Sequence, residues 1–160
     1  MNGTLTRGDM RNDMRAIALG GFIAGTLDIF AAALVNGANP LRVLQVVASG
    51  VLGKAAHADG AFSMAVGMIL QWAMSLIIAA IYVLAARFLP LLRSRWIAAG
   101  TAYGFVIYLV MNFVVVPLSA ATITMRLTPR HVLMNLPLMI VFGLIVAGCA
   151  ARAVASGPRR

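Results

Sequence analysis

The chain has 160 residues, of which 62% are hydrophobic and only 11% are charged, and its mean hydropathy is +0.95. An ordinary soluble domain is about one quarter charged, so this composition excludes a soluble globular protein, and it excludes intrinsic disorder, which requires low hydrophobicity. The net charge is +9, but the basic residues are scattered between apolar runs, so we expect no nucleic-acid partner. The sequence predicts an integral membrane protein whose main partner is the lipid bilayer.

Four apolar stretches follow one another along the chain, and each is long enough to cross a bilayer. They cover residues 16–35, 61–86, 97–118 and 132–151. About twenty apolar residues cross the hydrocarbon core as a helix, and the third and fourth stretches contain no charged residue. This pattern predicts an all-α fold, an integral membrane four-helix bundle that forms a single transmembrane domain over residues 1–160.

A shorter segment, residues 40–53, lies between the first two stretches. Asn39 followed by Pro40 is a helix start signal, because Asn caps a helix and Pro fits its first position. Arg42 and Gln45 are three residues apart and share one face of this helix, whose other residues are mostly apolar. The segment is too short to span the membrane. It therefore predicts an amphipathic helix that either lies on the outer surface or dips into the bundle.

The basic residues are distributed unevenly between the connections. Nine lie in the N-terminal segment, the turn between the second and third stretches and the C-terminal tail, whereas four lie in the other two connections. Cytoplasmic loops of membrane proteins carry the excess of basic residues. This distribution predicts that both termini are cytoplasmic.

Small residues recur at helical spacing in two of the predicted spans. Gly21 and Gly25 share a face of the first span, and Gly100 and Gly104 share a face of the third. Helices in lipid associate through small residues, because these allow the backbones to approach closely. We expect the four glycines to pack helices together, and the same faces would allow a homo-oligomer.

Asp28 is the most informative residue, because a carboxylate inside the hydrocarbon region costs at least a few kcal/mol. Such a group is partnered, protonated or reached by water. Depths counted at 1.5 Å per residue place Asp28 in the outer half of the bundle together with most of the other polar residues of the spans. The candidate polar pocket comprises Asp28, Arg42, Gln45, Gln71, Tyr108, Asn112, His131 and Asn135.

Two interpretations of this polar set stay open. In the first, an outward-facing pocket transports or senses protons or a small solute, whose identity the sequence does not give. In the second, the protein is a structural or accessory membrane subunit. Asp28 is then a buried partner that fixes the fold, for example in an ion pair with Arg42, and the polar side chains join helices by hydrogen bonds.

Catalytic signatures are missing from the sequence. It has no HExxH, P-loop or GxSxG motif, and it has a single cysteine. We therefore expect neither an enzyme nor a cofactor or metal site.

Several motifs carry a resemblance to a known group. They are Gly25–Ile29, Pro40–Gly53, Tyr82, Phe88-Leu89-Pro90, Trp96, Gly100, Tyr103-Gly104, Met111-Asn112 and Pro117-Leu118-Ser119. With these motifs the chain resembles a family of uncharacterised bacterial four-span inner-membrane proteins. The second and third spans are also distantly similar to the YagU-type inner-membrane proteins. The resemblance implies a bacterial inner membrane and a four-span fold, and it implies no particular activity.

Overall fold

The computed structural model describes residues 7–58, 60–121 and 128–155, and all regular secondary structure in these ranges is helical. The helices are α1 (Arg7–Val35), α2 (Pro40–Leu52), a 3₁₀ turn (Gly53–His57), α3 (Gly60–Phe88), α4 (Leu91–Ser94), α5 (Trp96–Val110), a π-helical turn (Met111–Val115), α6 (Val116–Leu118) and α7 (Pro129–Ala155).

Four segments are long and apolar enough to cross a membrane. They are Met10–Val35, Gly60–Phe88, Trp96–Leu118 and Pro129–Ala153. These segments contain the four apolar stretches seen in the sequence, and the shorter α2 lies between the first two. The predicted all-α membrane bundle is thereby confirmed.

The long helices pack in a definite spatial order. Helix α1 lies between α3 and α7, α5 packs along α7, and α2 packs along α3. The order across the bundle is therefore α2, α3, α1, α7, α5. Helix α5 also touches α3, because the Tyr103 hydroxyl donates a hydrogen bond of 2.8 Å to the Ile78 carbonyl and the rings of Tyr103 and Tyr82 are in contact.

Helix α2 begins as the sequence predicts. The Asn39 side chain accepts a 2.9 Å hydrogen bond from the Leu41 N–H, and Pro40 occupies the first position of the helix. The helix then packs on the first half of α3, where Gly67 lies directly against the Leu44 carbonyl. Gly67 is about 10 Å along α3 from its start at Gly60. This close packing favours the interpretation in which α2 dips into the bundle.

The four predicted packing glycines all lie at contacts within the chain. A Cβ atom added at Gly21 would be 2.8 Å from Leu76 Cδ2, and one added at Gly25 would be 2.9 Å from Ser75 Cβ, so α1 touches α3 at both. A Cβ atom added at Gly100 would be 2.9 Å from Ala147 Cβ. At Gly104, it would be 2.6 Å from Ile140 Cα, so α5 touches α7. These glycine faces are covered inside one chain. The possibility of a homo-oligomer stays a prediction, since contacts inside one chain do not test it.

The buried core lies toward the end of the bundle where α1 begins and α3 ends. Tyr82, Ala86, Val146 and Ala147 belong to it and are almost completely buried. The Tyr82 hydroxyl donates to the Leu92 carbonyl at 3.1 Å and ties α3 to α4 at this end. The apolar core thus closes one half of the bundle, and the polar residues of the spans lie mainly in the other half.

Candidate functional site

The site is built around a carboxylate and an amide that join α1 to α3. The Gln71 Nε2 donates a 3.0 Å hydrogen bond to Asp28 Oδ2 and lies 3.4 Å from the Gly25 carbonyl oxygen. Gln71 is 9% exposed. The second carboxylate oxygen, Asp28 Oδ1, is enclosed and receives no hydrogen bond from the described residues. The two oxygens of one carboxylate therefore have different surroundings.

The α1–α3 contact around this pair is held by short-range packing. The absence of a side chain at Gly25 lets Ser75 approach α1, and the Ser75 hydroxyl donates back to the Gln71 carbonyl at 2.8 Å. On the next face, the Trp72 indole N–H donates to Thr26 Oγ1 at 3.2 Å. These contacts fix the rotation of both helices, so Gln71 is held against Asp28.

A small cavity lies on the other side of Asp28, between α1 and α7. Its volume is about 30 Å³. The walls are apolar apart from Asp28, and they are formed by Ala24, Leu27, Ala31, Leu138, Val141, Phe142 and Ile145. One water molecule needs about 10–15 Å³ on this measure, so the void has room for at least one.

A larger cavity lies on the Gln71 side of the pair. Its volume is about 330 Å³, and α2, α3 and the region from the π-helical turn to Ala121 form its walls. Val47, Met74 and Met111 are typical of its lining, and Gln71 and Ser119 contribute polar side chains. Each member of the Asp28–Gln71 pair therefore lines a different cavity.

The predicted ion pair between Asp28 and Arg42 is not formed. Arg42 is exposed on α2, and the hydrogen-bond partner of Asp28 is the neutral Gln71. Within the described ranges, the ion pair joins Asp13 of α1 to Arg87 of α3. The sequence pattern did not predict this pair, although both residues lie near the same end of adjacent antiparallel spans.

The other predicted pocket residues do not converge on Asp28. Asn112 Nδ2 donates to the Tyr108 carbonyl at 2.8 Å, and Asn135 Nδ2 donates to the His131 carbonyl at 3.0 Å, so both amides bond within their own helix. Tyr108 is 4% exposed, and its hydroxyl has no hydrogen-bond partner among the described residues. His131 and Gln45 are half-buried.

The predicted eight-residue pocket is therefore only partly assembled. Of the eight, Asp28 lines the cavity of about 30 Å³ and Gln71 lines that of about 330 Å³. The remaining six side chains line neither cavity, and the structure brings together only Asp28 and Gln71 by a direct hydrogen bond. Residues 7–58, 60–121 and 128–155 contain no cluster of three or more side chains suited to a metal ion.

The helices and this site define a class, the polytopic α-helical membrane proteins, because four helices of spanning length and apolar composition make up most of the described chain. Comparison with protein-family models, with curated proteins and with solved structures found no match. The resemblance to the four-span inner-membrane family stays a prediction.

Proposed function

We propose that this polytopic protein of the bacterial inner membrane has both termini in the cytoplasm and uses Asp28 to bind and release a proton. The observation that carries the proposal is the enclosed Oδ1 atom, which has no hydrogen-bond partner in the described chain, on a residue that lines a small cavity. An acidic group inside a membrane is a functional candidate by default, because its burial costs free energy that packing alone does not require.

The geometry supports a proton better than a larger solute. The cavity at Asp28 has a volume of about 30 Å³, and its wall is apolar apart from Asp28. A metal cation such as Ca²⁺ needs six to eight oxygen ligands, and the cavity wall offers side-chain oxygens from one residue. Gln71 turns its N–H donor toward Asp28, which opposes cation binding at that side. A proton needs neither additional ligands nor additional room.

The packing also favours proton sensing over proton transport in this conformation. Asp28 lies about 10 Å along the helix axis from the end of α1 at Val35. In the opposite direction α1 enters the closed core, where Ala24 is 1% and Ala16 is 4% exposed. Ile29 and Ala33 on the Val35 side are also buried, each 3% exposed, but the path from that end is the shorter one. A proton would therefore approach Asp28 from the Val35 side, whereas crossing would require the longer apolar core to open.

A second candidate is a structural or accessory subunit in which Asp28 only fixes the fold. The hydrogen bond from Gln71 to Asp28 Oδ2 favours this alternative, because it joins two spans directly. Interhelical hydrogen bonds in membranes contribute about 0.6 kcal/mol on average. In this interpretation the Oδ1 atom has no role.

Infrared difference spectroscopy of the purified protein after a pH step tests the proposal. Protonation of a shielded carboxyl group gives a carbonyl-stretch band, which we expect for the wild type and not for Asp28→Asn. Asn is the suitable replacement because its side-chain oxygen still accepts from Gln71. Arg42→Gln, an exposed substitution on α2, is the matched control and should retain the band.

Persistence of the full band in Asp28→Asn would overturn the proposal and leave the structural alternative. Thermal unfolding of Asp28→Asn and of two leucine variants separates the two interpretations further. The structural alternative predicts that Asp28→Leu and Gln71→Leu lower the melting temperature equally. The proton-binding proposal predicts that Asp28→Asn lacks the proton response of the wild type but keeps its melting temperature.

A further inference from the structure

A groove separate from the Asp28–Gln71 pair runs along α7 toward the end of the bundle that holds the core. Its volume is about 500 Å³, within the range of about 300–1,000 Å³ typical of ligand sites. Ile23 of α1 and Trp96 of α5 form its sides, and Leu144 and Gly148 of α7 form its floor. Arg152 lines one end of the groove and is exposed.

The length of the groove matches one leaflet of a bilayer. Its wall on α7 extends from Val141 to Arg152, which is about 16 Å at 1.5 Å per residue. The hydrocarbon core is about 30 Å thick, so the groove has the length of roughly half of it. An acyl chain that begins at the headgroup level near Arg152 would therefore end near Val141, at about the middle of the membrane.

Trp96 forms a wall of this groove near the expected boundary between membrane and water. Gly148 of α7 lies beside the indole, since a Cβ atom added there would be 3.6 Å from Trp96 Cζ3, an ordinary contact distance. Tryptophan is enriched at the level of lipid headgroups. The groove thus combines an apolar floor with an aromatic residue near its charged end.

The charge at this end favours an anionic ligand. Arg93 and Arg95 precede Trp96 in the chain, and α4, which contains Arg93, packs against α7. Arg93 Nε is enclosed, and no described residue accepts a hydrogen bond from it. Asp13, an acidic residue of this end, is already paired with Arg87. Basic pockets between spans bind the headgroups of acidic lipids.

We propose that the groove binds an anionic phospholipid, with one acyl chain along Leu144 and Gly148 and the phosphate at the Arg152 end. This inference does not depend on proton binding at Asp28. The occupant is a phospholipid rather than a free phosphate because most of the lining is apolar. The positive charge at this end favours an anionic headgroup over a neutral one.

Fluorescence quenching by brominated lipid tests this site. The full-length chain carrying Trp72→Phe is placed in phosphatidylcholine vesicles, so that Trp96 is the reporting tryptophan. A small fraction of phosphatidylglycerol with brominated chains is then compared with the same fraction of brominated phosphatidylcholine. We expect stronger quenching of Trp96 by phosphatidylglycerol. Arg152→Gln should reduce this preference about fivefold, since a basic residue near the membrane surface contributes about that factor.

The matched control is Arg42→Gln, which removes an exposed arginine at the other end of the bundle and should leave the preference unchanged. Equal quenching by the two lipids, or full preference in Arg152→Gln, would overturn the proposal. Shielding of Trp96 from both lipids in a cross-linked dimer would also overturn it, because a second copy of the chain would then fill the groove. If Trp72→Phe does not fold, the melting temperature of the wild-type chain replaces the fluorescence measurement. It should rise more with phosphatidylglycerol than with phosphatidylcholine, and Arg152→Gln should lose the difference.

Discussion

Gly143 lies where the backbones of α5 and α7 are in close contact. A Cβ atom added there would be 2.7 Å from the Gly104 nitrogen and 2.9 Å from Gly104 Cα, and it would also meet the Gly100 carbonyl oxygen. These are backbone atoms, so the helices themselves would have to move apart. We expect Gly143→Ala to lower the free energy of unfolding by about 1–3 kcal/mol, measured as a lower melting temperature in detergent.

Gly148→Ala is the control on the same helix. The nearest atom to its new Cβ is 3.6 Å away in the Trp96 ring, an ordinary contact. Alanine is favoured over glycine inside a helix by up to about 1 kcal/mol, so this variant should be as stable as the wild type or more stable. Equal melting temperatures for the two variants would contradict the close approach at Gly143.

At the residue scale, the sequence predicted which glycines pack helices together better than it predicted which polar side chain bonds to Asp28. Gly100 and Gly104 stood out because they are four residues apart, whereas Gly143 has no glycine at that spacing and was missed. Arg42 was a reasonable partner for Asp28 on grounds of charge. The actual partner, Gln71, depends on how α1 and α3 are rotated against each other, and a single sequence pattern does not contain that rotation.

At the scale of the element, Asn39 determines where α2 begins. Its side chain accepts from the Leu41 N–H at 2.9 Å and satisfies one of the free donors at the helix start. We expect Asn39→Ala to cost about 1 kcal/mol. Faster amide hydrogen exchange in α2 together with a small drop in melting temperature would measure this loss.

Asn39→Ser is the corresponding control, because serine caps a helix about as well as asparagine. It should retain the slow exchange of α2. If the serine and alanine variants exchange equally fast, the cap does not hold α2, and its packing against Gly67 alone would have to keep the helix in place.

The end of the third span contains a change in helix type that the hydrophobic pattern did not predict. Its apolar length predicted a continuous span, but a π-helical turn covers Met111–Val115. The Val116 N–H donates to the Met111 carbonyl, one residue further back than in an α-helix. Pro117 follows at once and has no N–H to donate. Hydrophobic periodicity reports length and composition, and it does not resolve a one-residue change in hydrogen bonding.

At the scale of the whole molecule, four spans place the start of α1 and the end of α7 on the same side of the membrane. The turn before α5 shares that side and carries Arg93 and Arg95, so the excess of basic residues predicts that it is cytoplasmic. The 3₁₀ turn after α2 then faces outward. Ser94 and Ala58 are exposed residues of these two regions and provide one labelling position on each side.

A membrane-impermeant maleimide applied to right-side-out vesicles measures this orientation. In a Cys149→Ser background, Ala58→Cys should react at once, whereas Ser94→Cys should react only after the vesicles are disrupted. The reverse pattern would place the termini outside, so that the entry to Asp28 from the Val35 side would face the cytoplasm. Immediate reaction of both cysteines would contradict the four-span arrangement itself, because an odd number of crossings must separate the two positions. Under the proposed proton-binding function, the compartment whose protons would reach Asp28 follows from this one result.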